Sequence, residues 1–175
     1  ILYSTADEKI KEKYSEVINQ LPVMNELAAI LKKNREKRGA PEIQSVESKI
    51  ICDENGVCVD IRARDRGVSE EIIEEFMLVA NNCAAKVGMD NEIPFVYRIH
   101  EAPAEEKLMT LADTLVKLGV DNKGINDKST AADLAAVLKR ANDTPRAMII
   151  NRLTLRTMMK AKYSEQPLGH YGLVM

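Results

Sequence analysis

Apolar positions recur every three or four residues along most of the chain, a spacing that predicts a helix-dominated fold. Ile10, Tyr14, Val17, Ile18 and Leu21 share one side of a first helix, opened by a capping box of Thr5 and Glu8. Pro22 interrupts it, and Met24, Leu27, Ile30 and Leu31 begin a second amphipathic helix. That helix ends in a basic run, Lys32, Lys33, Arg35, Lys37 and Arg38, stopped by Gly39 and Pro41. Cations there complement the helix dipole, so the run reads as a favourable C-terminal turn. Asn55-Gly56 between alternating apolar positions predicts a hairpin with a two-residue type I′ loop. The resulting register pairs Glu54 with Val57, Cys52 with Val59 and Ile50 with Ile61. It gathers Ile50, Cys52, Val57, Val59 and Ile61 on one face, and a one-residue slip would mix Lys49 and Glu47 into it. Cys52 and Cys58 then fall on opposite faces, which argues against a bridge between them.

Four further helical segments follow. Ser69 caps one that runs to about Val87, with Glu70 and Glu71 in its first turn. Another starts at Pro103, carries Leu108, Leu111, Leu115 and Leu118, and stops at Gly119. A third spans Thr130 to Ala141. Thr144 caps the last, with Pro145 in its first position, and it continues to about Lys162. PFVYRIHEAP at 94–103 reads as extended. The fold class is α+β, mostly helix, with one antiparallel hairpin.

Composition narrows the functional classes. With 175 residues the chain suits one domain, and 45% apolar with 30% charged residues argues against disorder. No apolar run reaches the roughly 20 residues that span a bilayer, so no membrane partner is expected. A net charge of −2 gives no overall reason to expect nucleic acid, leaving local patches to supply any such contact. Three cysteines without metal-ligand spacing read as reduced thiols, which fits a cytoplasmic protein. Ile1 is not an initiator methionine and Met175 ends an apolar stretch, so both ends read as internal to a longer chain.

Two helices carry candidate chemistry. On IIEEFMLVAN at 72–81, a helical projection places Ile72, Ile73, Phe76, Ala80, Cys83 and Val87 on a core stripe. Glu75 sits at its rim with Asn82, and Glu74 points nearly opposite. A helix apolar on several sides, with a carboxylate and amides mid-span, expects burial against more than one neighbour. The plain alternative is a solvated Glu-Glu pair. On the last helix Arg152, Arg156 and Lys160 recur every fourth residue with Tyr163 beside them, a stripe suited to a phosphodiester backbone and an unstacked base. Solvated basic faces are common, so the stripe alone does not decide. His100 lacks a nucleophile context, and His170 lies in the loop Leu168-Gly169-His170-Tyr171-Gly172. Each reads as a hydrogen-bonded structural residue, and nothing in the spacing says that they meet. No compact Asp-x-Asp cluster appears, and no complete metal centre is expected.

In order, these segments resemble the RNB catalytic domain of the ribonuclease R and ribonuclease II family. The resemblance begins with KKNREKRGA at 32–40 and SKIICDENGVCVDI at 48–61. It becomes specific at RGVSEEIIEEFMLVANNCAA (66–85), PFVYRIHEAP, and LRTMMKAKYSEQPLGHYGL (155–173). It implies that residues 1–175 are part of a 3′→5′ exoribonuclease that hydrolyses single-stranded RNA to nucleoside 5′-monophosphates. It also implies a magnesium site held by aspartates upstream of Ile1, and an arginine-rich phosphate clamp after the GHYGL match. The expected partners are single-stranded RNA, the remainder of the RNB domain and flanking RNA-binding domains, and the fragment itself is expected to be inactive with no cofactor bound. By resemblance Glu75 matches a glutamate near the 3′-terminal nucleotide, implicated in preference for RNA. A carboxylate accepting from a ribose 2′-hydroxyl would give that preference a physical basis. Tyr97, Arg98 and His100 match a family motif and are RNA-binding candidates by that resemblance, without individually assigned contacts. Arg156, Lys160, Tyr163 and His170 are channel-side or structural candidates. Tyr171 stands where phenylalanine is common. The similarity leans towards ribonuclease R. A non-catalytic RNA-binding module on the same scaffold is the alternative, and a purely helical adaptor would leave the ordered motifs unexplained.

Overall fold

The computed structural model describes residues 8–43, 47–64, 66–142 and 144–175. Thr5 of the expected first cap lies outside them, so that capping box has no counterpart to compare.

The first amphipathic segment is two short helices, α1 (Glu8–Lys13) and α2 (Ser15–Ile18). Pro22 stands in the first turn of α3 (Leu21–Lys37), where its missing N–H is not needed. The basic run ends α3 as expected, and Gly39 turns the chain at φ +84°. A Cβ there would lie 2.5 Å from the Ala132 Cβ, so this turn fits tightly against a later helix.

The hairpin is β1 (Ser48–Cys52) and β2 (Cys58–Ala63), with Ile50 opposite Ile61 as the alternation requires. Its tip differs from the expectation. The Gly56 N–H donates to the Asp53 carbonyl, and only Gly56, at φ +79°, takes a positive φ. The Asp53 carboxylate accepts from the N–H groups of Asn55 and Val57, each at 2.9 Å. An aspartate that binds its own turn favours a three-residue loop over a type I′ pair. The added residue produces a bulge, so Cys52 pairs with Cys58 rather than with Val59. The two cysteines are therefore cross-strand partners, and both are free thiols, as is Cys83.

Helix α4 (Val68–Asp90) begins two residues earlier than expected. Its N-cap is Gly67, not Ser69, and the Glu70 carboxylate accepts from the Gly67 N–H at 3.1 Å. The extended stretch after it contains β3 (Tyr97–Ile99). Helices α5 (Glu105–Lys117), α6 (Ala131–Ala141) and α7 (Ala147–Thr157) follow. Thr130 caps α6 reciprocally with Asp133. Thr144 accepts from the Arg146 N–H ahead of α7. The last helix stops at Thr157, short of the expected Lys162, because residues 162–164 form a strand, β4 (Lys162–Ser164). That strand pairs antiparallel with β3, a second small sheet that periodicity did not predict.

The core lies among α5, α6 and α7. Leu108, Leu111, Leu115, Leu134, Val137, Leu138, Ala141 and Ile150 interlock there at near-zero exposure, with Tyr171 packed at the edge. The N-terminal part is different. Val23, Leu27, Ile30, Ile73, Met77, Val87 and the hairpin residues Val59 and Ile61 are exposed. No helix among the described residues is long and apolar enough to cross a membrane.

Candidate functional site

Glu75 is the most deeply buried carboxylate among the described residues, at 4% exposure. The expected stripe on α4 was rotated. Ile73, Cys83 and Val87 face outward, and the buried line runs through Ile72, Glu75 and Gly88. Glu75 therefore stands within the packed face and not at its rim. The physical reason is its partner: Arg35 reaches across from α3 and donates from Nε at 3.1 Å and from Nη2 at 2.6 Å, both to Oε1. Pairing makes burial of the two charges tolerable. Burial itself disfavours the charged guanidinium, but the hydrogen bonds and charge of Glu75 outweigh that and hold the Arg35 pKa above its usual value. Lys32 lies one turn earlier, 3.5 Å from both Glu71 and Glu42. Two ion pairs, Arg35–Glu75 and Lys32–Glu71, thus join α3 to α4. Glu74 points away, as expected, and pairs with Arg66. Arg35 belongs to the basic run that the sequence assigned only to a helix end.

A second group gathers at the far end of α4. Gly88 leaves room for Tyr97, whose hydroxyl would lie 3.0 Å from a Cβ built there, and the Phe95 ring packs against Tyr97 at a 50° tilt, 5.2 Å between centroids. Thirteen residues separate Glu75 from Gly88, roughly 20 Å of helix. The two groups do not converge on one point. Tyr97 and Ile99 are buried, whereas Arg98 between them is exposed. Arg98 pairs in register with Tyr163, which is 72% exposed, so the two side chains leave the same face of the β3–β4 sheet.

The histidines do meet. His100 and His170 form an isolated parallel bridge, with rings edge to face 4.9 Å apart. His100 is a clasp: its Nε2 bonds the Met159 carbonyl at 2.8 Å, and its Nδ1 accepts from the Gly172 N–H at 3.1 Å. Its backbone bonds Gly169 and Tyr171. This places His100 as the hydrogen-bonded structural residue it was expected to be. The His170 Nδ1 is buried without a hydrogen-bond partner among the described residues. Burial, then His100 and Arg98, hold its pKa below the ordinary value. Tyr171 donates to the Ser129 carbonyl at 2.9 Å, and burial pushes its pKa up to about 12.

The cationic stripe does not survive the end of α7. Arg152 and Arg156 are exposed on the helix, but Lys160 lies beyond its end and Tyr163 belongs to β4. Arg156 instead lines a cleft of about 300 Å³ between α5 and α7, with Lys107 and Glu106. Among the described residues no group of three His, Cys, Asp or Glu side chains could hold a metal ion. The residues described here do not fit a magnesium site.

The RNB domain model matches residues 1–175. Ribonuclease R 1 of Lactococcus lactis is 37% identical over 167 residues, covering 95% of this chain and 20% of that protein. Ribonuclease R of Thermotoga maritima is 42% identical over 149 residues, 85% of this chain and 21% of its own length. The chain thus spans about a fifth of these relatives. The structure of Mycoplasma genitalium RNase R in complex with ribose methylated single-stranded RNA superposes with a TM-score of 0.85 at 31% identity. It covers 98% of this chain and 28% of that one.

Proposed function

Since this chain belongs to the RNB domain family, we propose that it forms one wall of the RNA channel in a processive 3′→5′ exoribonuclease. The observation that carries this reading is the likeness to Mycoplasma genitalium RNase R, in a structure that holds single-stranded RNA, over nearly all of the chain. The substrate is single-stranded RNA, and the products are nucleoside 5′-monophosphates. Catalysis uses magnesium, which in two-metal sites stabilises charge on the attacking and leaving oxygens of a phosphodiester. The donors for it lie in parts of the enzyme other than the residues described here, as do the phosphate clamp and the flanking RNA-binding domains. Free cysteines suit a cytoplasmic setting.

This chain's own contribution is recognition. Glu75 accepts from the 2′-hydroxyl of the 3′-terminal ribose through Oε2, which has no protein donor among the described residues. Arg98 and Tyr163 offer a cation for phosphate and a ring for a base, side by side on the β3–β4 face. His100, His170 and Tyr171 hold that face to the α5–α7 core.

The test is digestion of a single-stranded RNA carrying a 5′ label by the full-length protein with magnesium. A ladder that shortens from the 3′ end, with mononucleotide 5′-phosphates released, supports the reading. Release of the labelled nucleotide first, or RNA binding without trimming, overturns it, and the second outcome would identify a non-catalytic binding module. The isolated chain is expected to show no trimming above background.

A further inference from the structure

The basic run at 32–38 is larger than a helix end requires, and its members go to different places. Lys33, Lys37 and Arg38 are exposed, Lys32 is half-buried against two glutamates, and Arg35 alone is turned fully inward. Its planar guanidinium meets Glu75 in an unusual way. A clamp between two helices would use both carboxylate oxygens in parallel, fork to fork. Here Nε and Nη2 both donate to Oε1, and no donor among the described residues reaches Oε2. A carboxylate offers about four acceptor sites, so half of this one's capacity is unused. The Glu75 side chain as a whole is only 5% exposed, but Oε2 is not among the fully buried polar atoms left without a partner, so it keeps an opening to a donor from outside the chain.

Stability alone is a weak account of this arrangement. Buried ion pairs are often matched or exceeded by apolar residues of similar volume. What two charge-assisted bonds from a rigid fork onto one oxygen do is anchor that oxygen and leave the other for a second donor, which the mobile point charge of a lysine would do less well. We infer that Arg35 is a positioning residue for sugar selection: by holding Oε1 from α3, it presents Oε2 of Glu75 to the ribose 2′-hydroxyl without touching RNA itself. This rests on the ribose-reading role proposed above for Glu75.

The experiment uses the full-length enzyme and two RNAs identical except for the 3′-terminal sugar, ribose or 2′-deoxyribose. The quantity read is the ratio of the rates at which that nucleotide is removed. Arg35→Met should narrow the ratio about as much as Glu75→Ala does, by about tenfold or more, as expected for losing a hydrogen bond to a charged acceptor. Arg35→Met added to Glu75→Ala should change the ratio no further. Arg35→Lys should fall between wild type and Glu75→Ala, and it carries the test alone if Arg35→Met does not fold. Equal slowing on both RNAs in the Arg35 variants, with a narrowed ratio in Glu75→Ala, would reduce Arg35 to a structural clamp and leave the role of Glu75 standing. An unchanged ratio in Glu75→Ala would remove the ribose reading and this inference together.

Discussion

His170 carries a measurable consequence of burial. Its folded-state pKa lies below the ordinary 6.5 because burial, then His100 and Arg98, oppose the charged ring. The unfolded chain takes up the proton first as pH falls, so this contribution is complete above about 6.5 and is lost through the folded-state value below it. Melting curves at pH 7.5 and pH 5.5 should show a fall in Tm that His170→Gln diminishes, and an equal fall in both proteins would contradict the assignment. The buried pair gives a second test. Arg35→Met strands Glu75 and should cost about 3–5 kcal/mol, whereas Arg35→Met with Glu75→Leu should recover most of it. Chemical denaturation reads both, and additive losses would contradict the pairing. One helical projection told Glu75 from Glu74, which points away, but set Glu75 at the rim of the packed face and could not supply its partner. Arg35 lies 40 positions earlier, and only the packing of α3 on α4 turns a rim glutamate into a buried one.

At the scale of elements, apolar spacing located α3, α5 and α6 closely, because each has a strong stripe and a clear stop. It failed where tertiary pairing decides. The spacing of α7 carries on to about Lys162, yet the chain leaves the helix at Thr157 and Lys162–Ser164 pair with β3, and a three-residue strand such as β4 leaves no periodic signal. The hairpin tip failed for a local reason, since Asp53 competes for the turn that Asn55-Gly56 predicts. Gly39 shows the opposite case, a sequence stop that also proves to be a packing site. Gly39→Ala must take a positive φ and place a Cβ against Ala132, so it should destabilise by about 2 kcal/mol or more. A loss under about 0.5 kcal/mol in urea titration would mean that α3 and α6 do not meet as described.

Across the whole molecule, the interlocked core of α5–α7 contrasts with α3, α4 and the hairpin, whose large apolar side chains face outward. Several sides of α4 were expected to be covered, and within this chain α3 covers one of them. A surface of that kind is normally an interface. The isolated chain should therefore self-associate, seen as a mass above 19.6 kDa in light scattering at micromolar concentration, and a strictly monomeric chain would count against it. Relatives about five times longer have the material to cover these faces. The central claim is that this wall reads the sugar of its substrate through Glu75. Its most direct test is the rate at which full-length enzyme, wild type and Glu75→Ala, removes a 3′-terminal ribonucleotide relative to its 2′-deoxy counterpart. The account predicts a strong preference for ribose in the wild type that falls about tenfold or more in the variant. Equal preference in the two enzymes would contradict it.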